Sequence, residues 1–187
     1  MIDFLRQIQG IMTLPPSLVE LFYEKLQTRE VRKRQHLLKA GHICDHIFFV
    51  KKGLFRSYSL SGDQQVTNWF MKEADIFTAP TSFYPRIPSV ESIQALEDSE
   101  VVYLHHNVLE KMYEEFPAFN KAGRMVTEKY MIVLSRYNYV SRIKPADERY
   151  RYFEEDFPEL IGRVADKDVA SFLGMTDVYL SKIKNKK

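Results

Sequence analysis

Three textures of apolar and polar residues follow one another along the chain. In the first, Phe4, Leu5 and Ile8 share one side of a short helix at residues 3–9. Pro15-Pro16-Ser17 then precede Leu18, Leu21, Phe22 and Leu26, whose spacing predicts a helix of about ten residues. The second texture runs from Thr28 to Leu104. Short apolar runs alternate there with the turn signals Ala40-Gly41, Lys52-Gly53, Ser61-Gly62-Asp63 and Ala74-Asp75. The runs His46–Val50, Leu54–Ser59, Val66–Met71, Ser92–Leu96 and Val101–Leu104 read as closely spaced strands, hence a β-sandwich or barrel and not βαβ units. Pro80, Pro85 and Pro88 interrupt them with an irregular loop holding at most one helical turn.

The third texture is helical and reaches the last residue. Asn107 is the expected cap of a helix through Glu114, and Pro117 the expected first residue of a long helix ending near Arg142, before Pro145. On that helix Phe119, Gly123, Val126, Tyr130, Val133, Tyr137 and Val140 alternate at intervals of four and three, the pattern of a seam between two copies of the chain. A second stripe, Met125, Ile132 and Leu134, is expected to face the β region. Pro145–Phe157 reads as another helix with Tyr150 and Phe153 inward, and Pro158–Val164 as a connector.

The twenty residues Asp166–Asn185 have a shape of their own. Ala170 is small where two crossed helices must approach, and Gly174 permits a left-handed turn. Val169, Leu173, Leu180 and Ile183 supply a small shared core. Thr176 stands where an N-cap is needed. The result is a helix-turn-helix whose second helix leaves Asp177, Val178, Ser181, Lys182 and Asn185 facing outward, the positions that enter a major groove. Lys182 suits guanine or phosphate, Val178 a thymine methyl, and Asp177 an amino group of cytosine or adenine. Lys184, Lys186 and Lys187 add positive charge beside them.

Composition narrows the classes further. The formal net charge is only +2, so any nucleic-acid site must be a local one. The lone cysteine, Cys44, excludes an internal disulfide framework and a four-cysteine metal site. His42, His46, His105 and His106 lack metal-ligand spacing, so neither metal nor cofactor is expected. No apolar stretch approaches the ~20 residues of a membrane span, and no signal-peptide pattern opens the chain; a cytoplasmic protein is the expectation.

The order of β region, seam helix and terminal helix-turn-helix resembles the Crp–Fnr family of bacterial transcription regulators. The resemblance rests on Leu38-Lys39-Ala40-Gly41, on Ile47–Arg56 with its Lys52-Gly53, on Ala95-Leu96-Glu97-Asp98, and on Asp168–Lys182. It implies an α+β chain: a β-roll of the jelly-roll kind with flanking helices over 1–116, a dimerisation helix over 117–143, and a short helix-turn-helix domain without a C-terminal wing over 144–187. It implies double-stranded DNA and a second copy of the chain as partners, with RNA polymerase and an unidentified small-molecule effector as further candidates. The DNA-contacting set it implies is Thr176, Asp177, Val178, Ser181, Lys182, Lys184 and Asn185. At the ligand pocket the sequence departs from the family. A glycine and glutamate are wanted after a Phe, and an Arg-Ser or Arg-Thr before the next strand. The chain has Phe77-Thr78-Ala79 and Ser89-Val90, with Arg86 three residues upstream. The phosphate and ribose of cyclic AMP thus lose their expected partners.

Two other classes stay open on the residues alone. A cupin-type enzyme is also a small β-barrel, but it needs an H-x-H pair and a carboxylate. A ligand-binding or interaction protein would use the terminal helices for packing only.

Overall fold

Leu18 and Phe22, set on one face by helical spacing, have no solvent exposure. A computed structural model describes residues 2–185. The chain starts with α1 (Ile2–Gln9) and α2 (Pro16–Lys25), the latter opened by proline at its first position. Their apolar faces meet the β region through edge-on rings: Phe4 lies 5.7 Å from both Phe22 and Phe49. Each buried phenylalanine of this kind contributes about 1.5–3 kcal/mol.

Eight strands follow: β1 (Gln27–Val31), β2 (His36–Leu38), β3 (His46–Lys52), β4 (Phe55–Ser61), β5 (Gln64–Met71), β6 (Ile76–Phe77), β7 (Glu91–Ala95) and β8 (Ser99–His105). They form two four-stranded sheets, ordered β1-β8-β3-β6 and β2-β7-β4-β5. The pairs β1·β8 and β3·β8 are antiparallel, with Thr28 opposite Val102 and Phe48 opposite Tyr103. This is the expected sandwich. β1, β2 and β6 are strands that hydrophobic patterning alone did not single out. The first is exposed at four of its five residues, and the other two are three and two residues long. Phe48, Phe55 and Phe77 fill the space between the sheets, Phe48 stacked on Phe77 at 5.3 Å. At the β3–β4 turn Gly53 has φ +103°, and a Cβ there would lie 2.1 Å from the Ser99 hydroxyl, so no other residue fits.

The proline-broken segment contains one short helix, α3 (Pro80–Phe83). Then come α4 (His106–Glu115), α5 (Asn120–Ile143), α6 (Ala146–Asp156), α7 (Asp166–Phe172) and α8 (Asp177–Lys184). Two helix starts differ from the sequence reading. The cap of α4 is His105, whose Nδ1 accepts from Asn107 N–H at 3.1 Å; the capping side chain lies two residues upstream of the expected one. Pro117 opens a 3₁₀ turn, Pro117–Phe119, and the α-helix begins after it.

The chain divides into two units. One contains the residues up to Ser57 with Phe70–Glu128; the other contains Tyr58–Trp69 and the residues from Lys129 onward. This division falls inside α5, between Glu128 and Lys129, and the tip of the β4–β5 hairpin belongs with the C-terminal helices.

Candidate nucleic-acid interface

Helices α7 and α8 are short, and their geometry is set by three residues of the turn. Ala170 has no exposure, which lets the helices approach, and its carbonyl accepts from Met175 N–H at 3.0 Å. Gly174 has φ +63°, the left-handed conformation the sequence assigned to it. Thr176 caps α8, its Oγ1 accepting from Tyr179 N–H at 3.2 Å. Val169, Phe172, Leu173 and Leu180 are buried beneath them. Asp177 in the first turn of α8 also favours the helix dipole.

The outer face of α8 carries the expected residues. Asp177, Ser181, Lys182 and Asn185 are exposed, and Val178 is 67% exposed. Tyr179, which the sequence reading missed, is 48% exposed on the same helix. Lys184 differs from expectation. Its Nζ bonds both oxygens of Asp166 at 2.8 and 2.9 Å, tying the end of α8 to the start of α7. The hydrogen bond to Asp166 raises its pKa. Its charge is therefore balanced within the chain. Lys186 and Lys187 lie outside the described residues.

The turn itself is held from behind. Arg149, on α6, donates to the Gly174 carbonyl at 3.4 Å and to the Ser141 carbonyl at 3.2 Å, linking the turn to the end of α5. Arg136 on α5 pairs with Asp156 at 3.0 Å, its guanidinium 5.2 Å from the centre of the Tyr152 ring.

Five of the six residues expected around a ligand are engaged with the protein itself. Phe77 and Ala79 are core. Thr78 donates from Oγ1 to the His46 carbonyl at 3.0 Å. Ser89 is 3% exposed, its hydroxyl bonded to the Glu91 backbone, and Val90 is 71% exposed. Arg86 sits at φ +57° and pairs with the Asp45 carboxylate. It also donates to the carbonyls of Cys44 at 2.7 Å and Phe83 at 3.3 Å. Its charge and its donors thus pin a loop. A cavity of about 330 Å³ does lie in this unit, lined among others by His36, Lys39, His42, Cys44 and His46. Burial lowers the pKa of His36 and of His46, the neighbouring Lys39 and His105 respectively adding to it. Among the described residues no three His, Cys, Asp or Glu converge as a metal site.

On α5 the two stripes differ in exposure. Phe119 is 4% and Val140 8% exposed, and Tyr137 stacks on Phe172 at 4.6 Å; Val126, Tyr130 and Val133 are half-buried. Phe119, Tyr137 and Val140 thus pack within their own chain. Gly123, placed in the seam as a small residue, instead makes room for Tyr113: a Cβ there would meet the Tyr113 hydroxyl at 2.2 Å. The outward residues are Met125 at 38%, Met131 at 62%, Ile132 at 70%, Leu134 at 47% and Tyr139 at 53% exposure. Apolar alternation marked two stripes, but which one faced inward depended on ring contacts that spacing does not encode.

Among the described residues no helix is long and apolar enough to cross a membrane. No curated protein matches the chain. Residues 28–116 match the family model of the cyclic nucleotide-binding domain. Among solved structures the chain is similar to FixK2 from Bradyrhizobium japonicum, at 19% identity and TM-score 0.73 over 86% of this chain and 83% of that one. It is similar to CLP of Xanthomonas campestris, a c-di-GMP-responsive global regulator, at 11% identity and TM-score 0.73 over 92% and 91%. It is also similar to a protein from Eubacterium rectale ATCC 33656 assigned to the crp/fnr family of transcriptional regulators, at 16% identity and TM-score 0.75 over 92% and 83%. Identities this low speak for the fold alone: residues 28–116 are similar to a cyclic nucleotide-binding domain, on a chain whose fold is shared with regulators of the crp/fnr family.

Proposed function

We propose that the chain is a homodimeric, DNA-binding transcription regulator whose β region does not take cyclic AMP through the family's phosphate contacts. The observation that carries this reading is the outer face of α8. Asp177, Val178, Ser181, Lys182 and Asn185 are exposed together on a capped helix, and the buried Leu180 and the Gly174 turn hold that helix to α7. Side chains of this kind meet base edges and phosphates when such a helix lies in the major groove. Tyr179 joins them as a further contact.

Dimerisation follows from the outward stripe of α5. Met125, Ile132 and Tyr139 recur every seven residues and are all exposed. A stripe of that period is covered when two such helices run side by side. Two copies of α8 then act at a fixed spacing on two half-sites. RNA polymerase and a small-molecule effector remain the further partners of this reading.

Selection of bound duplexes from random DNA tests it. A two-fold symmetric consensus with half-sites about one helical turn apart is expected. Recovery of no enriched sequence would contradict the reading and favour an interaction protein that uses its terminal helices for packing.

A further inference from the structure

The unit that holds α7 and α8 contains strands, and they are borrowed. Among its described residues the only strands are the ends of β4 and β5, joined by Gly62-Asp63. Trp69, the chain's single tryptophan, sits near the end of β5. Its ring is edge-on to Tyr137 at 5.6 Å, to Phe157 at 5.8 Å and to Phe172 at 5.6 Å. Tyr137 in turn donates from its hydroxyl to the Phe172 carbonyl at 2.5 Å. One aromatic cluster therefore joins the hairpin, α5, the end of α6 and α7.

A polar contact fixes the same place. Ser171, on α7, accepts from Thr67 N–H at 3.0 Å and donates to the Gln65 carbonyl at 3.2 Å. β5 is the edge strand of its sheet. One serine hydroxyl thus bonds two alternate backbone groups of that edge, as a neighbouring strand would. Ser171 and Phe172 end α7 immediately before Leu173 and the Gly174 turn. The hairpin thus grips the helix that carries α8.

We propose that Ser171 and Trp69 are positioning residues: by clamping α7, the β4–β5 hairpin sets how α8 is presented to DNA. The inference rests on the reading of α8 as the DNA-contacting helix. Neither residue lies on the outer face of α8. Loss of the clamp should therefore lower affinity for every sequence alike and leave the preferred sequence unchanged, because only the fraction of correctly placed helix falls.

The test uses the full chain with Ser171→Ala, Ser171→Thr, Trp69→Ala and Trp69→Phe. Hydrogen exchange is followed in α7, α8 and β8, beside DNA titrations. In the two alanine variants, exchange in α7 and α8 should rise about tenfold while β8 stays as in the unmodified chain, and DNA affinity should fall about tenfold. Threonine at 171 and phenylalanine at 69 should restore most of both, since they keep the hydroxyl and the ring. Unmodified exchange and affinity in both alanine variants would overturn the proposal, as would equal loss of protection in β8. If α7 and α8 lose protection but the unmodified chain has no affinity for DNA, the clamp stands and the DNA reading falls. If Lys182→Ala alters sequence preference while both alanine variants behave as the unmodified chain, the DNA reading stands and the clamp falls.

Discussion

At the scale of single residues, the ion pair of Lys184 bears on the proposed contact with DNA. Asp166 balances that lysine, and the pair is partly exposed, so it adds at most about 1 kcal/mol to stability. Replacing Asp166 with Ala should free the ammonium for a phosphate. Binding should tighten on all sequences, and the plot of log affinity against log salt should steepen by about one unit. An unchanged slope in anisotropy titrations would show that the pair does not mask Lys184. Lys182 and Asp177 should behave otherwise, each alanine variant costing about 1–3 kcal/mol at one base pair and relaxing the preference there. Thr176→Ala should cost about 1 kcal/mol in urea unfolding through the lost cap. Thr176 and Gly174 were legible in the sequence because caps and left-handed turns depend on local residue type. The partners of Arg86 and Lys184 were not: Asp45 and Asp166 lie 41 and 18 residues away along the chain.

Among the elements, α5 separates two hypotheses that apolar spacing could not. Sequence spacing placed Val133 in the seam and Ile132 against the β region; Val133 is half-buried and Ile132 is 70% exposed. Ile132→Glu should give a monomer with near-normal unfolding temperature, because its charge stays in water until a partner arrives. Val133→Glu should lower the unfolding temperature, since the carboxylate must leave water within its own chain. Sedimentation with thermal melts distinguishes them, and a dimeric Ile132→Glu would return the seam to the original stripe. Gly123→Ala belongs to the same helix. It would push the Tyr113 ring from its stack on Phe119, 5.2 Å away, and should cost about 1–3 kcal/mol of overpacking. Strands β3, β4, β5, β7 and β8 were legible from alternation with turns; β1 was not, being exposed at four of its five residues. β6 and β2 were not, since a strand of two or three residues leaves no period to detect.

For the whole molecule, one pH dependence follows from burial. Burial, with Tyr84 and Glu110 adding to it, pushes Tyr113 up from 10.0 to about 12. The folded state thus favours the neutral phenol. Its contribution is fully present below pH 10 and is lost as the unfolded chain, and then the folded one, deprotonates toward pH 12. Tyr113→Phe should accordingly lose less stability across that interval than the unmodified chain, as read by chemical unfolding at each pH. The order of β region, long helix and terminal helices could be read from the sequence, since each has its own period. The membership of Tyr58–Trp69 in the C-terminal unit could not, because a hairpin's sequence does not say which helices cover it. The proposed reading of DNA by α8 is tested by comparing the intact chain with one lacking residues 176–187. Titration of a selected duplex at several salt concentrations should show affinity lost and the salt slope flattened in the shortened chain, with the dimer intact. Unchanged affinity would make the terminal helices a packing element and contradict the account.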